Sequence, residues 1–497
     1  MLLDLLDAAR SDRAQKPALD DLSFDALHDG AARVATQLSA RGVARGDRIA
    51  IYSENRHGFA FAYLAALRLG AIAVPVNVLY RASDLAHVVR DADPAVIVHS
   101  PDVAAHVAGV ASAPPAIDVT ELETWAADAR IAARERVRPD PEETALVVYT
   151  SGTTGVAKGA MLSHRNLASI AAQLIAAWRW QAADTLLIAL PLFHVHGLIA
   201  ALTTSLCAGG RALLRERFEA SDVLATLAGG DVTMFFGVPT MYVRLLERAG
   251  AGGALPPSPL RLFVSGSAAL PAETHRAFEE RFGAAILERY GATEFGFALG
   301  NRYAGPRVPG SVGVPLPGVR VRIVAPGALE ALPAGDVGEL LVAGPNVFGG
   351  YWKRPEATAD AFAVDTDGTR WYRSGDLASY DAGDDVYRIV GRIKELIITA
   401  GFNVYPREVE EAIESLPRVR ACAVIGKPDA ARGELPIAFI ETEAPIRVED
   451  LFEALRERIA SFKVPKEIYV VDALPRNAMG KLDKPALRAR LETIVSG

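Results

Sequence analysis

The sequence is poor in cysteine and has no excess of positive charge. Cys207 and Cys422 are the two cysteines among 497 residues, and each lies among apolar neighbours. Their wide separation gives neither a metal-ligand spacing nor a disulfide framework, so we expect two buried free thiols. A net charge of −7 at pH 7 provides no basic surface for a nucleic acid, and we expect no nucleic-acid partner.

Long apolar runs are also missing. A membrane helix needs about 18 uninterrupted apolar residues. The nearest candidate, residues 188–210, is interrupted by Pro191, His194 and His196. The first residues, MLLDLLD, have no basic segment and contain acids, unlike a signal peptide. The sequence therefore predicts a cytoplasmic protein without a membrane span.

Helical and strand-like segments alternate through much of the chain. Residues 48–52 and 70–76 read as short apolar strands, and residues 59–69 between them read as a helix. This alternation predicts an α/β fold with layered, largely parallel sheets. Glycine, proline and valine become dense at residues 310–318, which predicts a β-rich subdomain over about 310–391. Beyond it, a pattern of about a hundred residues predicts a small α+β domain.

Residues 150–159 form a loop whose composition suits a polyphosphate. The loop contains four hydroxyl side chains, three glycines and one lysine, Lys158. Glycine lets backbone N–H groups approach phosphate oxygens, hydroxyls donate further hydrogen bonds, and Lys158 supplies positive charge. The spacing is not that of the P-loop. A flexible surface loop is the alternative on composition alone.

The exact string is more specific than the composition. Residues 149–159, YTSGTTGVAKG, resemble the signature of the adenylate-forming (ANL) superfamily, which includes acyl-CoA synthetases, peptide-synthetase adenylation domains and luciferases. Further motifs resemble that family in order and spacing: YGATE at 290–294, SGD at 374–376, GRIKE at 391–395 and PRNAMGK at 475–481. The resemblance implies a large N-terminal AMP-binding domain, residues 1–391, and a small mobile C-terminal domain, residues 392–497.

The resemblance also implies three small-molecule partners: ATP with Mg²⁺, a carboxylic acid and coenzyme A. Glu294 and Thr150 are expected at the metal, Thr293 at the α-phosphate, Tyr290 beside adenine and Asp376 at the ribose hydroxyls. The residues assigned to ATP or AMP are Thr150, Ser151, Gly152, Thr153, Thr154, Lys158, Gly266, Ser267, Ala268, Tyr290, Gly291, Asp376 and Arg392.

Lys481 is the residue expected to catalyse adenylation. Its ammonium would stabilise the charge that develops as a carboxylate attacks the α-phosphorus. The expected catalytic residues are Lys481, Glu294, Thr293 and His194. The small domain is expected to rotate about Lys394, after which Gly401 and Phe402 would contact CoA. Acetylation of Lys481 by a lysine acetyltransferase would remove its charge, which makes such an enzyme a predicted partner.

The acyl substrate depends on a second group of residues. His194 and His196 flank one valine in a strand-like stretch, so we expect both on one face. The expected acyl-site residues are His196, Arg244, Ser265, Gly291 and Arg307. HVHG at 194–197, with Arg244 and Arg307, resembles the malonyl-CoA synthetase branch, in which two arginines would hold the distal carboxylate of malonate or a short dicarboxylate. The apolar run FGFAL at 295–299 departs from some members of that branch.

Other interpretations remain. Arg244 could extend to solvent, and a basic residue before PGSVG also occurs in relatives with apolar substrates. Medium-chain fatty, cyclic or aromatic acids are therefore the alternative substrates. A carrier protein in place of CoA is the alternative acceptor. A luciferase-like oxygenase reaction is a further alternative. A peptide-synthetase domain is disfavoured because no acid stands at residues 194–195 to pair an amino group. A nucleotide-binding protein without catalysis is the remaining alternative.

Overall fold

The computed structural model describes residues 1–111, 113–150, 157–250, 259–429, 431–476 and 482–496. Its helices are α1 (Leu2–Arg13), α2 (Phe24–Ala40), α3 (His57–Leu69), α4 (Ala82–Ala92), α5 (Ala104–Ala108), α6 (Val119–Ala127), α7 (His164–Ala177), α8 (Thr204–Cys207), α9 (Ala220–Ala228), α10 (Pro239–Ala249), α11 (Ala272–Phe282), α12 (Pro355–Asp360), α13 (Pro406–Glu414), α14 (Val448–Arg458) and α15 (Lys484–Ser496).

The first large region contains the strands β1 (Pro17–Leu19), β2 (Leu22–Ser23), β3 (Arg48–Tyr52), β4 (Ile72–Pro75), β5 (Val96–His99), β6 (Ala116–Asp118), β7 (Thr144–Thr150), β8 (Lys158–Ser163), β9 (Thr185–Ile188), β10 (Arg211–Leu214), β11 (Met234–Gly237), β12 (Leu262–Ser265), β13 (Ile286–Tyr290), β14 (Leu299–Gly300) and β15 (Val314–Pro315). The remaining strands are β16 (Arg320–Val324), β17 (Gly338–Ala343), β18 (Gly350–Tyr351), β19 (Phe362–Val364), β20 (Arg370–Asp381), β21 (Val386–Arg392), β22 (Ile397–Thr399), β23 (Phe402–Val404), β24 (Val419–Asp429), β25 (Gly433–Thr442) and β26 (Glu467–Val470).

Two twisted sheets form the large N-terminal part of the described chain. One has the strand order β18-β8-β7-β4-β3-β5-β6, and the other has the order β15-β14-β13-β12-β11-β9-β10-β1-β2. The inner neighbours are parallel, including β3 with β4 and β12 with β13. Their residues are apolar on both faces because helices cover the sheets, as in β4, where every residue is buried. The parallel order brings the carboxyl ends of β11, β12 and β13 to one edge of the second sheet.

Antiparallel strands form a smaller third sheet in the order β16-β17-β20-β19, with β21 paired to β20. This sheet carries the SGD motif on β20. A fourth sheet, β23-β22-β25-β24 with β26 on β25, is packed with α13, α14 and α15 in the C-terminal part. The predicted α/β class, with a large N-terminal and a small C-terminal domain, is confirmed. The boundary at 391 and 392 stays a prediction.

Two simpler predictions can also be compared with the described residues. Both cysteines are free thiols, with Cys422 buried and Cys207 partly buried. No helix in these ranges is long and apolar enough to cross a membrane.

Candidate active site

The two strands that flank the predicted phosphate loop form an antiparallel hairpin. Thr150 is opposite Lys158 in the register of β7 and β8, and the Thr150 Oγ1 donates to the Lys158 carbonyl oxygen at 3.5 Å. The loop positions Ser151, Gly152, Thr153 and Thr154 lie outside the described residues. The described ends of the loop are therefore held together, with Lys158 at the start of β8.

Glu294 lies in the turn after β13, next to Thr293 and half-buried. Its Oε1 accepts a hydrogen bond from the Tyr351 hydroxyl at 2.9 Å, and its carbonyl oxygen accepts from the Phe348 N–H at 2.7 Å. Burial raises the pKa of Glu294. Gly291 begins this segment, and a Cβ there would lie 2.0 Å from the Gly296 carbonyl oxygen, so the tight fold of the motif requires glycine.

Asp376 lies on β20 and is 5% exposed. Its Oδ2 accepts a hydrogen bond from the Tyr290 hydroxyl, and its Oδ1 lies 2.9 Å from the Arg392 Nε. Asp376 and Arg392 are cross-strand partners on β20 and β21, which fixes this pair through the sheet register. The Asp376 carboxylate raises the pKa of Arg392. We call Glu294, Tyr290, Asp376 and Arg392 the nucleotide half of the site.

A second cluster lies at the carboxyl ends of the parallel strands. His196 is 1% exposed, its ring stacks with Phe236, and its Nδ1 is 3.4 Å from the Ser267 Oγ. Arg289 on β13 is 4% exposed; its Nη2 donates to the same Ser267 Oγ at 3.3 Å. The Arg289 guanidinium lies 4.4 Å from the centre of the Phe297 ring. We call His196, Phe236, Ser267, Arg289 and Phe297 the acyl half of the site.

Arg289 has no acidic partner in the described part of the chain. Its Nε has no hydrogen-bond partner there, and no ion pair forms at its guanidinium. Burial lowers the pKa of Arg289 to about 9, so it remains a cation at neutral pH. Burial is also the first cause that lowers the pKa of His196, and the Arg289 charge adds to it. A buried cation without a counter-ion is costly, so the Arg289 guanidinium is suited to contact an anionic ligand.

The loop after β12, residues 266–268, packs against Arg289 and His196. Ser267 has a φ of +71°, a left-handed conformation that is strained for a residue with a Cβ. A Cβ at Gly266 would lie 2.5 Å from the Arg289 Nε, so only glycine leaves room for this guanidinium. Ser265, at the end of β12, is 1% exposed. Ala268 follows in the same loop.

The predicted strand geometry around His194 and His196 is wrong. His194 lies in a turn and is half-buried, with its ring 4.6 Å from that of Phe193. His196 begins a π-helix, His196–Thr203. A Cβ at Gly197 would lie 2.2 Å from the Pro191 carbonyl oxygen, so the chain packs against itself in a way that a strand would not allow.

The structure does not bring the two expected arginines to the acyl half. Arg244 on α10 is exposed, with its guanidinium 5.3 Å from the centre of the Phe218 ring. Arg307 donates hydrogen bonds to the carbonyl oxygens of Ala285 and Tyr303. Ala285 directly precedes β13, so this contact lies at the amino end of the strand, whereas Tyr290 lies at its carboxyl end. The buried cation beside His196 is instead Arg289.

The sequence signal that could have identified Arg289 is a charged residue within a buried strand. Residues 286–290 read ILERY, and the first two are fully buried. Glu288 on the other face is paired with buried His275, whose Nδ1 lies 3.2 Å from its Oε1. Arg289 has no such partner among the described residues, which makes it a candidate functional residue.

The comparisons with known proteins agree with this geometry. The AMP-binding enzyme family matches residues 6–352, and its C-terminal domain matches residues 408–481. The chain belongs to the AMP-binding enzyme family.

Curated relatives of this AMP-binding enzyme differ in their acids. A feruloyl-CoA synthase of Amycolatopsis sp is 36% identical, covering 94% of each chain. A sulfoacetate–CoA ligase of Cupriavidus necator is 35% identical, covering 93% of this chain and 91% of the relative. A malonate–CoA ligase of Arabidopsis thaliana is 33% identical, covering 91% and 79%.

Among solved structures, ATP-bound MatB from Rhodopseudomonas palustris aligns with a TM-score of 0.92 at 38% identity, covering 99% of this chain and 100% of that one. These comparisons make this protein an AMP-forming CoA ligase of the ANL superfamily that uses ATP, Mg²⁺ and CoA. They support the resemblance to the malonyl-CoA synthetase branch without deciding the acid.

The described residues fit Mg²⁺ in this AMP-binding enzyme. No cluster of three or more metal-binding side chains occurs in the described ranges, so no protein cage is formed there. Mg²⁺ is commonly held by one or two carboxylates together with nucleotide phosphates. Glu294 offers such a carboxylate beside the hairpin that contains Thr150 and Lys158. Bound Mg²⁺ would neutralise phosphate charge during transfer.

The predicted hinge and CoA residues lie in the C-terminal part of the enzyme. Lys394 is exposed in a short turn directly after β21. Gly401 has a φ of +83° at the tip of the hairpin between β22 and β23. Phe402 is 54% exposed and its ring stacks on Phe462 at 4.6 Å. Lys481 lies outside the described residues.

Proposed function

We propose that this CoA ligase activates a short acid that carries a second anionic group, with malonate as the favoured substrate, and forms malonyl-CoA. Arg289 is the observation that carries the proposal. It is a buried cation at the carboxyl end of β13, and its Nε has no partner among the described residues. A distal carboxylate would supply the missing counter-ion in a bidentate geometry that suits a guanidinium.

The comparisons support the same substrate class. The malonate and sulfoacetate of two relatives each combine a reacting carboxylate with a second anion. His196 and Ser267 add polar groups next to Arg289, so the second anion would meet hydrogen-bonding groups among otherwise aromatic side chains. Both oxygens of a carboxylate can be satisfied in this arrangement.

The proposed reaction has two steps. In the first, one oxygen of the reacting carboxylate forms a bond to the α-phosphorus of ATP while the bond to pyrophosphate breaks. In the second, the CoA thiol loses its proton and its sulfur attacks the acyl carbon, releasing AMP. Within the proposal, Lys481 stabilises the charge of the first step, and Glu294, Thr150 and Thr293 act at the metal and phosphates. Gly401 and Phe402 act with CoA in the second step.

A second candidate substrate is an aromatic acid such as ferulate. The aromatic residues around His196 favour an aromatic acid, since Phe236 and Phe297 are both buried beside the His196 ring. The feruloyl-CoA synthase relative supports it as well. This candidate leaves Arg289 without an anionic partner.

The experiment that tests the proposal compares substrates that differ in the distal charge. Acid-dependent pyrophosphate release is measured with malonate, methylmalonate, sulfoacetate, acetate, octanoate, benzoate and ferulate. Monomethyl malonate is the control because it keeps the three-carbon chain of malonate and replaces the second carboxylate with a neutral methyl ester. We expect kcat/KM for malonate to exceed that for its monoester by about a hundredfold or more, since the ester leaves Arg289 unpaired.

Activity with octanoate, benzoate or ferulate that equals or exceeds the activity with malonate would overturn the proposal. Mass spectrometry of the products identifies the acceptor. An acyl-CoA product is expected, and an acyl-adenylate that accumulates in the presence of CoA would contradict the second step.

A further inference from the structure

Tyr351 lies between the two groups that are expected to act on the ATP phosphates. Its hydroxyl donates to the Glu294 Oε1 at 2.9 Å. The Lys158 Nζ lies 5.4 Å from the centre of its ring. One side chain therefore contacts the carboxylate on one side and a cation of the phosphate hairpin on the other.

The backbone on both sides of Tyr351 is fixed to the same two elements. β18 pairs with β8, which places Tyr351 opposite Ala160, and the Trp352 N–H donates to the Gly159 carbonyl oxygen at 2.7 Å. Three residues before Tyr351, the Phe348 N–H donates to the Glu294 carbonyl oxygen at 2.7 Å. Residues 348–352 are thus hydrogen-bonded both to the turn that carries Glu294 and to the strand that begins with Lys158.

The Tyr351 ring is held by its own packing. It makes an edge-to-face contact with Phe348 at 4.9 Å, and the Tyr351 N–H donates to the Thr358 Oγ1 at 2.9 Å. A hydroxyl on a ring that is fixed in this way meets Glu294 in one geometry. Its bond to Oε1 leaves the other carboxylate oxygen to a metal ion.

We propose that Tyr351 is a positioning residue of the adenylation step, which holds Glu294 for the metal–nucleotide complex and keeps Lys158 beside it. Partners that orient a metal-binding carboxylate commonly change metal affinity or activity by about 10- to 100-fold when they are removed. This role concerns ATP and Mg²⁺ and does not depend on which acid the enzyme accepts.

Tyr351→Phe tests the proposal because it removes the hydroxyl and keeps the ring. Calorimetry without any acid would measure the binding of ATP with Mg²⁺ and with EDTA. We expect Mg²⁺-dependent ATP binding to weaken about 10- to 100-fold and binding in EDTA to stay unchanged. Pyrophosphate exchange should fall by a similar factor, whereas thioester formation from supplied acyl-adenylate should be unaffected.

Tyr380→Phe is the matched control. The Tyr380 hydroxyl donates to the Asp385 Oδ1 at 2.8 Å in an exposed pair within the same β-rich region. It should leave both measurements unchanged. Wild-type Mg²⁺–ATP binding in Tyr351→Phe would overturn the proposal. Equal losses in both half-reactions together with a lower Tm would also overturn it, because they would indicate a structural role. The comparison of acid substrates with the wild-type enzyme tests the proposed function, and its outcome does not depend on this calorimetry.

Discussion

The nucleotide half and the acyl half of the site differ in how their charges are compensated. In the nucleotide half, Asp376 contacts Arg392 and Tyr290, and Glu294 accepts a hydrogen bond from Tyr351. In the acyl half, Arg289 is buried as a cation with no acid opposite it in the described chain. The first arrangement is organised before ATP arrives. The second contains a buried cation without an acidic partner in the described chain, and this difference is the basis for the proposed anionic substrate.

Removing the Arg289 charge is expected to have the largest effect. Arg289→Met should lower kcat/KM for malonate by about 100- to 1,000-fold, because the distal carboxylate would be buried without its partner. The KM for ATP should stay close to the wild-type value. Pyrophosphate release at varied malonate and varied ATP measures both. Normal use of malonate by this variant would remove the difference between the two halves.

Asp376→Asn tests the nucleotide half and should have the next largest effect. The amide cannot replace a carboxylate that contacts Arg392 and is expected to accept both ribose hydroxyls. Loss of hydrogen bonds to a charged group should raise the KM for ATP by about 10- to 100-fold. Pyrophosphate exchange at saturating ATP should report an unchanged KM for malonate. A change in the malonate KM of the same size would show that the two halves are not separable.

Buried histidines offer a second comparison with Arg289. A buried histidine is neutral at neutral pH, whereas Arg289 keeps its charge there. His164 is 2% exposed, and burial lowers its pKa to about 4. The unfolded chain, with an ordinary histidine pKa near 6.5, then binds more protons than the folded chain between about pH 4 and 6.5. Stability should therefore fall as the pH drops through this window, by about 2 kcal/mol at pH 5 for this residue.

Urea unfolding of the wild type and of His164→Phe at pH 7 and pH 5 measures this contribution. The variant should lose less stability than the wild type on acidification. His28, whose pKa burial also lowers to about 4, would still contribute in both proteins. An identical pH dependence in the two proteins would refute the assignment to His164.

The smallest effect is expected at Arg244. Its exposed guanidinium contacts Phe218, a type of contact worth about 0.5–1 kcal/mol at an exposed site. Arg244→Gln should therefore change kcat/KM for malonate by less than about threefold. This variant is the control for Arg289→Met because it also removes one positive charge. A fall in kcat/KM for Arg244→Gln as large as that for Arg289→Met would indicate that Arg244 and Arg307, the pair first expected from the sequence, bind the distal carboxylate.

Much of the fold could be predicted from periodicity and end signals. The strand at residues 48–52 agrees with β3, and the helix at residues 59–69 corresponds to α3 with two more residues at its start. In the C-terminal part, the predicted α+β pattern agrees with α13, α14 and α15 and the sheet formed by β22 to β26. Buried apolar strands and amphipathic helices leave strong local patterns, which explains these agreements.

The motif residues of the nucleotide half could be found because each belongs to a short string. In the acyl half, His196 was expected from the string HVHG, whereas Arg289 could not be found in this way. Arg289 precedes Tyr290 within a strand, and only the parallel order of β11, β12 and β13 brings it to His196 and Ser267. Arg307 was expected there because of its place in the sequence, yet its hydrogen bond to Ala285 lies at the other end of β13. Contacts set by sheet order leave no periodic signal along the chain.

The π-helix His196–Thr203 makes the number of residues in this segment, as well as their identity, important for the position of His196. Each hydrogen bond of a π-helix spans one residue more than that of an α-helix, and such turns are frequent at functional sites. Deleting one residue within His196–Thr203 would allow ordinary helical turns, so the residues next to the deletion would change their positions. The position of His196 beside Ser267 and Phe236 therefore depends on the length of this segment as well as on its side chains.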